Sequence, residues 1–322
     1  MVPTSSLASQ PVADFLSNVG LARRQAHKAL TLWPLVSPSE APLFRGHAYI
    51  PLADALAAGA LVVDEVGEHG SVPHVRVTNR GECAVLVLFG EELRGAKQNR
   101  IANASFLIGA KQEAVIDVSC VEQGRWSRRA GAQFEAGVGV VSSRLRQHLH
   151  EHVAASRAAG HGFRSDQGEV WREVDERIAY SRAAAPTGAY ADYYGSRSGD
   201  VEDVCKAFRP LPGQVGFVAA IADEVVGLEA IGRPEVFLRV FDRLLRAYAI
   251  DAVDAALLRQ AQSPRRSARY DAPEPFIEAL AAARVMSAPS LGLGLDLRIA
   301  GAGVSGCALA AEDLVHLTAF AD

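Results

Sequence analysis

The sequence has few cysteines, no long apolar run and no excess of basic residues. Its four cysteines in 322 residues form no C-x-x-C pair and match no zinc-ligand spacing. Scattered cysteines of this kind are typical of reduced thiols in the cytosol. No run approaches the roughly 20 apolar residues of a membrane span, and the first residues lack the basic and apolar regions of a secretion signal. We therefore expect a cytoplasmic protein without a membrane partner.

The charge balance argues against one class of partner. The net charge is −4 and the isoelectric point is about 6.2, whereas nucleic-acid-binding proteins usually carry a strong basic excess. We expect no nucleic-acid partner, although local positive charge can still hold a small anion. The 49% hydrophobic content is ample for a buried core, and the length suits one large domain or two ordinary ones.

Residue patterns predict an α+β fold. Short apolar and β-branched runs with short connections, such as residues 61–65, 72–78 and 83–89, predict an antiparallel β-rich N-terminal unit, either sandwich-like or barrel-like. Residues 142–159 and 169–185 have helical composition, which predicts helices inserted before a mixed C-terminal part.

The predicted organisation begins with a flexible N-terminal segment, residues 1–29, although residues 21–32 also have the composition of a short helix. A single domain over residues 30–322 follows. We expect its β-rich part over about residues 45–130 and its helical and mixed part over about residues 140–322.

Three further patterns have local interpretations. Pro234 opens a regular amphipathic helix that extends to about Gln262. Residues 301–306 match G-x-G-x-x-G, but no βαβ unit follows, so we predict a hairpin turn rather than a dinucleotide site. The H-x-x-E-H pattern places His148 and His152 on one helix face, as in zinc peptidases. Such pairs are common on solvated helices, and we expect no metal site.

The densest group of chemically functional residues lies between Val85 and Trp126, where strand-like apolar runs alternate with charged turns. Charged groups at strand ends often meet at one rim of a sheet, which positions them rigidly. We expect this rim to be functional and not a determinant of the fold, because its polar residues cluster at turns. Replacing Glu92 or Arg100 with glutamine should then cost no more than about 1 kcal/mol of stability.

Three carboxylates are candidates for chemistry at this rim: Glu91, Glu92 and Glu122. Paired carboxylates act as general acid and base when their environments separate their pKa values, and they also bind divalent cations. We assign candidate catalytic roles to Glu92 and Glu122 and a ligand-binding role to Glu91. The alternative is a solvated turn beside a strand end.

The next candidates form one run, Lys97, Gln98, Asn99 and Arg100. Lysine and arginine attract phosphate, and arginine can bind two oxygens at once. The amides can orient a ribose or a base. The alternative is a polar hairpin connection closed by a salt bridge from Arg100 to Glu92.

The last candidates follow the strand that ends near Cys120. Arg125 is a second candidate phosphate ligand. Trp126 either stacks on a base or plugs the end of the sheet, and we favour the plug. Cys120 is a nucleophile only if a nearby arginine lowers its pKa. A cysteine that ends an apolar strand is more commonly a small buried hydrophobic residue, and we favour that interpretation.

The motifs G-E-E-L-x-G-A-K-Q-N-R and S-C-V-E-Q-G-R-W resemble a family named for its association with ADP-ribosylglycohydrolases and rhodanese-phosphatases. Residues 214–217 and 305–320 are similar too, so the resemblance covers about residues 30–322. It implies a link to NAD and ADP-ribose metabolism. We therefore expect a ligand-binding protein or enzyme for an NAD-derived or ADP-ribose-like phosphorylated nucleotide. The alternative is a non-catalytic accessory protein for an ADP-ribose-metabolising enzyme.

Overall fold

The computed structural model describes residues 10–37, 46, 48–67, 70–127, 133–259 and 269–322. Its helices are α1 (Gln10–Ser17), α2 (Leu52–Ala57), α3 (Ser143–Ala158), α4 (Gln167–Ser181), α5 (Tyr190–Cys205), α6 (Pro234–Arg259) and α7 (Pro273–Ala281). Its strands are β1 (Gly20–Leu21), β2 (Gln25–His27), β3 (Leu30–Val36), β4 (Tyr49–Pro51), β5 (Leu61–Glu65), β6 (His74–Asn79), β7 (Ala84–Val87), β8 (Glu91–Arg94), β9 (Arg100–Ala102), β10 (Phe106–Ile108), β11 (Glu113–Cys120), β12 (Glu135–Val140), β13 (Gln214–Ile221), β14 (Glu224–Ile231), β15 (Arg284–Pro289), β16 (Leu295–Gly301), β17 (Val304–Ala311) and β18 (Asp313–Ala321). The predicted α+β class is confirmed.

The described residues belong to two compact units. The terminal unit comprises Met1–Gly46, Asp200–Ser290 and Gly294–Asp322, and the inserted unit comprises His47–Gly199 and Leu291–Leu293. The predicted division into a flexible segment over residues 1–29 and a single domain over residues 30–322 stays a prediction. Within the described part of the chain, no helix has both the length and the apolar character needed to cross a lipid bilayer.

The terminal unit is built on an antiparallel sheet in the order β1-β3-β13-β14-β18-β17-β16-β15, with β2 also paired to β3. Successive side chains of a strand point to opposite faces of the sheet, and in β13 the side chains on both faces are buried. Val218 joins a core with Phe276 of α7. The ring of Phe217 meets Phe237 and Tyr248 of α6 edge-on. Helices therefore cover both faces, which explains why β13 is buried throughout.

Two local expectations for the terminal unit have clear outcomes. The hairpin at residues 301–306 is confirmed, because Gly301 of β16 pairs with Val304 of β17 across the turn. The helix predicted over residues 21–32 is wrong, since this segment forms β1, β2 and the start of β3. A turn at Lys28, whose φ is +52°, folds β2 back on β3, and β3 then pairs with β13. Pairing with a distant strand therefore overrides the local helical composition.

Helix α6 starts at Pro234, as the sequence predicts, and is described to Arg259. Its expected end near Gln262 lies outside the described residues.

The inserted unit carries two sheets. One has six antiparallel strands in the order β12-β8-β9-β11-β6-β5, and the other has three in the order β10-β7-β4, of which β4 and β7 run parallel. Strand β7 is buried along its whole length, as its continuous apolar run indicates. The β-rich, largely antiparallel N-terminal unit predicted from the sequence is thus confirmed.

A charged network links α3 to α4 within the inserted unit. The carboxylate of Glu173 accepts a hydrogen bond from Arg177 Nε at 3.1 Å, and it lies 3.2 Å from His148 Nδ1 and 3.8 Å from Arg144 Nε. Burial alone would raise the pKa of Glu173. The hydrogen bond from His148 and the charges of Arg177 and Arg144 outweigh burial and lower this pKa from 4.5 to about 2.

We predict that Glu173→Gln destabilises the protein most above pH 4.5, where the native carboxylate is charged and paired. The loss should shrink as the pH falls towards 2, because the unfolded chain takes up a proton before the folded one does. Urea unfolding at about pH 5.5 and about pH 3 measures this difference. Glu176→Gln, on the exposed face of the same helix, is the control. An equal loss at both pH values would contradict the assignment.

Candidate functional site

Three neighbouring strands of the six-stranded sheet position the candidate site. Strands β8 and β9 are joined by a turn at residues 95–99, and β11 lies on the other side of β9. Arg100 lies opposite both Leu93 and Cys120, so these three side chains share one face of the sheet. Glu92 lies opposite Ile101 and therefore projects from the other face.

The two adjacent carboxylates of β8 make contacts near their own strand. Glu91 Oε2 accepts a hydrogen bond from the backbone N–H of Leu88 at 3.0 Å, and Glu92 Oε2 accepts one from Arg94 Nε at 2.8 Å. The salt bridge from Arg100 to Glu92, which was the alternative interpretation of this turn, does not form, because the two side chains leave opposite faces of the sheet. The nearest acid to Arg100 is Glu65 of β5.

A buried ion pair closes the loop that follows β11. Arg125 Nε donates to Glu122 Oε1 at 2.8 Å, and Arg125 Nη2 donates to Glu122 Oε2 at 2.6 Å. Glu122 is fully buried and Arg125 is 8% exposed. We call this bidentate pair the Glu122–Arg125 clasp.

The clasp holds the turn between β8 and β9. Arg125 donates to the carbonyls of Ala96 at 2.7 Å and Gly95 at 3.3 Å, and Glu122 Oε2 accepts from the backbone N–H of Asn99 at 3.1 Å. Gly95 and Ala96 both have positive φ values, +125° and +41°. A non-glycine residue there is strained, so surrounding contacts must hold it in place. Every guanidinium nitrogen of Arg125 is engaged in this way.

Glu122 is held as an anion. Burial by itself would raise its pKa, but hydrogen bonds from Arg125, the Thr187 hydroxyl and the Asn99 N–H outweigh burial and lower the pKa. A carboxylate that already accepts so many hydrogen bonds is a poor proton donor at neutral pH. Its geometry suits an anchor for the turn.

Arg100 contrasts with Arg125. It is fully buried, and its Nη1 donates to Gln98 Oε1 at 3.1 Å. Its Nε and Nη2 are buried without a hydrogen-bond partner, and Nη2 lies 3.9 Å from Glu65 Oε1. Burial lowers the pKa of Arg100. Unmatched buried donors are costly, so this guanidinium has capacity to bind an acceptor.

Glu65 is a site residue that the sequence analysis missed. It is buried and ends β5, in phase with Leu61 and Val63 on the buried face of the strand. The sequence did indicate this position, because strand alternation places Glu65 on the same inward face as the apolar residues of β5. Thr187, which donates to Glu122, carried no comparable signal.

Trp126 lies beside two cations, the partly exposed Lys97 and the buried Arg100. It is 46% exposed, and its ring centre is 5.2 Å from Lys97 Nζ and 5.5 Å from Arg100 Cζ. The expectation that it plugs the sheet end is wrong, because nearly half of its surface faces solvent. Distances within about 6 Å favour cation–π attraction.

Most charged groups of the rim are buried. Glu92, Arg100 and Glu122 are all 2% exposed or less. The turn and the loop after β11 contact each other through Glu122, whereas Glu92 packs against Gly137 of β12. Substitutions there should therefore cost more stability than the rim hypothesis allowed, because breaking a buried pair leaves an uncompensated charge.

The interpretation of Cys120 as a buried structural cysteine agrees with its surroundings. Burial raises the pKa of its thiol to about 11, even though the Arg100 charge acts to lower it. Its side chain is fully buried, and Sγ contacts the carbonyl of Val72. At neutral pH the thiol is therefore protonated and a weak nucleophile.

The histidine pattern lies on α3, beside a cavity of about 210 Å³ that includes His148 and His152 in its lining. His148 is paired with Glu173, which raises the pKa of the imidazole. Among the residues with described positions, no three histidine, cysteine or acidic side chains come together as a metal site. The expected absence of zinc stays a prediction.

Comparisons with known proteins identify one family. The family model described as ARG and Rhodanese-Phosphatase-superfamily-associated Protein domain matches residues 18–320. No curated protein and no solved structure matches the chain. The family description implies an association with ARG and rhodanese-phosphatase enzymes. The link to ADP-ribosylglycohydrolases follows only from that description.

The Glu122–Arg125 clasp generates a stability prediction. Glu122→Gln should lower the free energy of unfolding by about 3 kcal/mol or more, because Arg125 would keep a buried charge without its counterion. Urea unfolding monitored by circular dichroism measures the loss. Glu135→Gln, an exposed acid on β12, is the matched control. A loss within about 1 kcal/mol would show that the clasp does not hold the turn.

A second prediction concerns thiol reactivity. In the native protein at neutral pH, a thiol reagent should label Cys83 first, because it is the only one of the four cysteines that is not buried. Cys120 should react on the time scale of unfolding, since its pKa is about 11. Labelling of wild type and Cys83→Ser, followed by mass spectrometry, separates the sites. Rapid labelling of Cys120 in Cys83→Ser would reopen the nucleophile hypothesis.

Proposed function

The chain belongs to the family of ARG and Rhodanese-Phosphatase-superfamily-associated Protein domains, and we propose that it binds a phosphorylated, ADP-ribose-like nucleotide beside Arg100. In this proposal the protein acts in the cytoplasm. Arg100 and Lys97 hold phosphate, Gln98 and Asn99 orient the sugar or base, and Trp126 stacks on the base. The clasp keeps the turn that carries these residues in its binding geometry.

The proposal depends mainly on the guanidinium of Arg100, which has buried donors that lack hydrogen-bond acceptors. Its Nε and Nη2 are buried without a hydrogen-bond partner. These nitrogens lie on one edge of a planar group whose spacing matches two oxygens of a phosphate. A bound anion would supply the missing acceptors and offset the cost of burying the charge. Arg125, whose nitrogens are all engaged, is by contrast a positioning residue.

The exposed indole of Trp126 supports the nucleotide part of the proposal. Tryptophan contributes a large flat surface, and stacking of a base on an aromatic side chain is worth about 1–3 kcal/mol. The ring lies within 6 Å of both Lys97 Nζ and Arg100 Cζ. A phosphate at the cations would therefore place an attached nucleoside near the indole.

Binding is better supported than catalysis. Glu122 is fixed as an anion by Arg125, and Glu92 projects from the sheet face opposite to Arg100. The candidate acid and base therefore do not face one shared space. The hypothesis that Glu92 and Glu122 act together as an acid–base pair has little geometric support, and Glu91 faces its own turn.

The accessory hypothesis remains the second candidate. The family description itself associates these proteins with enzymes, and exposed tryptophan is enriched at protein interfaces. In that role Trp126 would contact an ADP-ribose-processing enzyme directly. Binding of a nucleotide by the isolated protein separates the two hypotheses.

We predict that ADP-ribose binds wild-type protein, with an affinity that falls as salt rises. Arg100→Lys should weaken binding by about tenfold or more, because lysine keeps the charge but loses the two-oxygen geometry. Isothermal titration calorimetry at low and high salt measures both effects. Arg94→Lys, a half-buried arginine of β8 paired with Glu92, is the control.

Two results would contradict the nucleotide proposal. One is plain ribose binding as tightly as ADP-ribose. The other is no detectable binding of ADP-ribose to the folded wild-type protein at about 1 mM ligand. A dissociation constant of about 1 mM corresponds to a binding free energy of only about 4 kcal/mol. Either result would favour the accessory hypothesis.

A further inference from the structure

We infer that Glu65 makes the Arg100 site selective for a phosphorylated sugar over inorganic phosphate. In this inference Glu65 accepts a hydrogen bond from a hydroxyl group of the ligand while Arg100 binds its phosphate. The inference rests on the proposed function, because it needs the ligand to occupy the space beside Arg100.

Glu65 has a buried acceptor without a hydrogen-bond partner, and the neighbouring Arg100 has buried donors without one. Glu65 Oε1 accepts the backbone N–H of Lys97 at 3.2 Å and lies 3.9 Å from Arg100 Nη2. Glu65 Oε2 is buried and has no hydrogen-bond partner. The side chains of Glu65 and Arg100 are 1% and 0% exposed. A ligand that fits must therefore bring both acceptors and a donor.

Sugar phosphates carry that combination of groups. Their phosphate oxygens match Arg100 Nε and Nη2, and a sugar hydroxyl can donate to Glu65 Oε2. Glu65 repels the phosphate charge of both ligands, but only the sugar phosphate has sugar hydroxyls that can reach Glu65 Oε2 while its phosphate binds Arg100. A site built to accept a hydroxyl also rejects analogues that lack it, because the buried acceptor is left unpaired.

Gly70 packs close to this buried acceptor, and its lack of a side chain leaves the space beside Glu65 Oε2 unfilled. Gly70 has a φ of +73°, and a methyl group built on it would lie 3.0 Å from Glu65 Oε2 and 3.3 Å from Lys97 Nζ. Any side chain at residue 70 would thus press on both groups. The glycine leaves room between the carboxylate and the ammonium.

A neighbour of the pair is Trp126, whose ring lies beside Lys97 and Arg100. Arg100 is fully buried, so a ligand that binds it would also contact the neighbouring indole. The protein has three tryptophans, and Trp126→Phe identifies the contribution of this one to fluorescence. Sugar phosphate should change the fluorescence of wild type and not that of Trp126→Phe.

The test compares ribose 5-phosphate with inorganic phosphate by calorimetry. Glu65→Gln keeps an oxygen for the Lys97 N–H but replaces the unmatched acceptor with a donor and removes the charge. We expect ribose 5-phosphate to bind about tenfold more weakly to this variant, since a hydrogen bond to a charged group is lost. Inorganic phosphate should bind equally well or more tightly. Asp64→Asn, exposed on the same strand, is the control.

The outcomes separate this inference from the proposal on which it rests. If Glu65→Gln weakens both ligands equally, or neither, the inference is overturned while the Arg100 site stands. If Arg100→Lys changes neither ligand, or wild type binds neither, the proposed function fails and the inference fails with it. Should Glu65→Gln not fold, Glu65→Asp keeps the charge but withdraws the acceptor. It should then weaken ribose 5-phosphate without improving inorganic phosphate.

Discussion

The bidentate ion pair between Glu122 and Arg125 is the interaction on which the candidate site depends. It ties the loop after β11 to the strained turn between β8 and β9, and its donors reach the carbonyls of Gly95 and Ala96. Positive φ values at both turn residues would be unfavourable without such support. Because the pair is buried, losing one member leaves the other charge uncompensated, so the loop and the turn are stable only together.

Two buried arginines a short distance apart along the chain differ in how completely they are satisfied. Arg125 has hydrogen-bond partners for every nitrogen, whereas Arg100 has buried Nε and Nη2 atoms without one. A satisfied buried charge stabilises local structure, and an unsatisfied one is expensive unless something else binds it. This difference links the fold to the proposed function, since the rigid clasp presents an arginine with spare donors beside an exposed tryptophan.

Part of the candidate site was predictable from the sequence, and the missing parts have physical reasons. The run from Lys97 to Arg100 and the motif ending in Trp126 do converge, because the antiparallel strands β9 and β11 are neighbours in one sheet. Strand alternation could also have indicated Glu65, because it lies on the same face of β5 as two buried apolar residues. Sequence alone could not decide whether Arg100 pairs with Glu92, since the contact depends on the register between β8 and β9. Register is set by the whole sheet rather than by neighbouring residues.

By itself the sequence determined the α+β class, the hairpin at residues 301–306, the start of helix α6 and the family, because each follows from local periodicity or contiguous motifs. Tertiary structure alone decided that residues 21–32 form strands, since their pairing partner β13 lies far along the chain. It also decided which charges are buried and which donors remain unmatched. These properties depend on how the turn and the loop contact each other, and burial of a charge is a property of its surroundings rather than of its residue type.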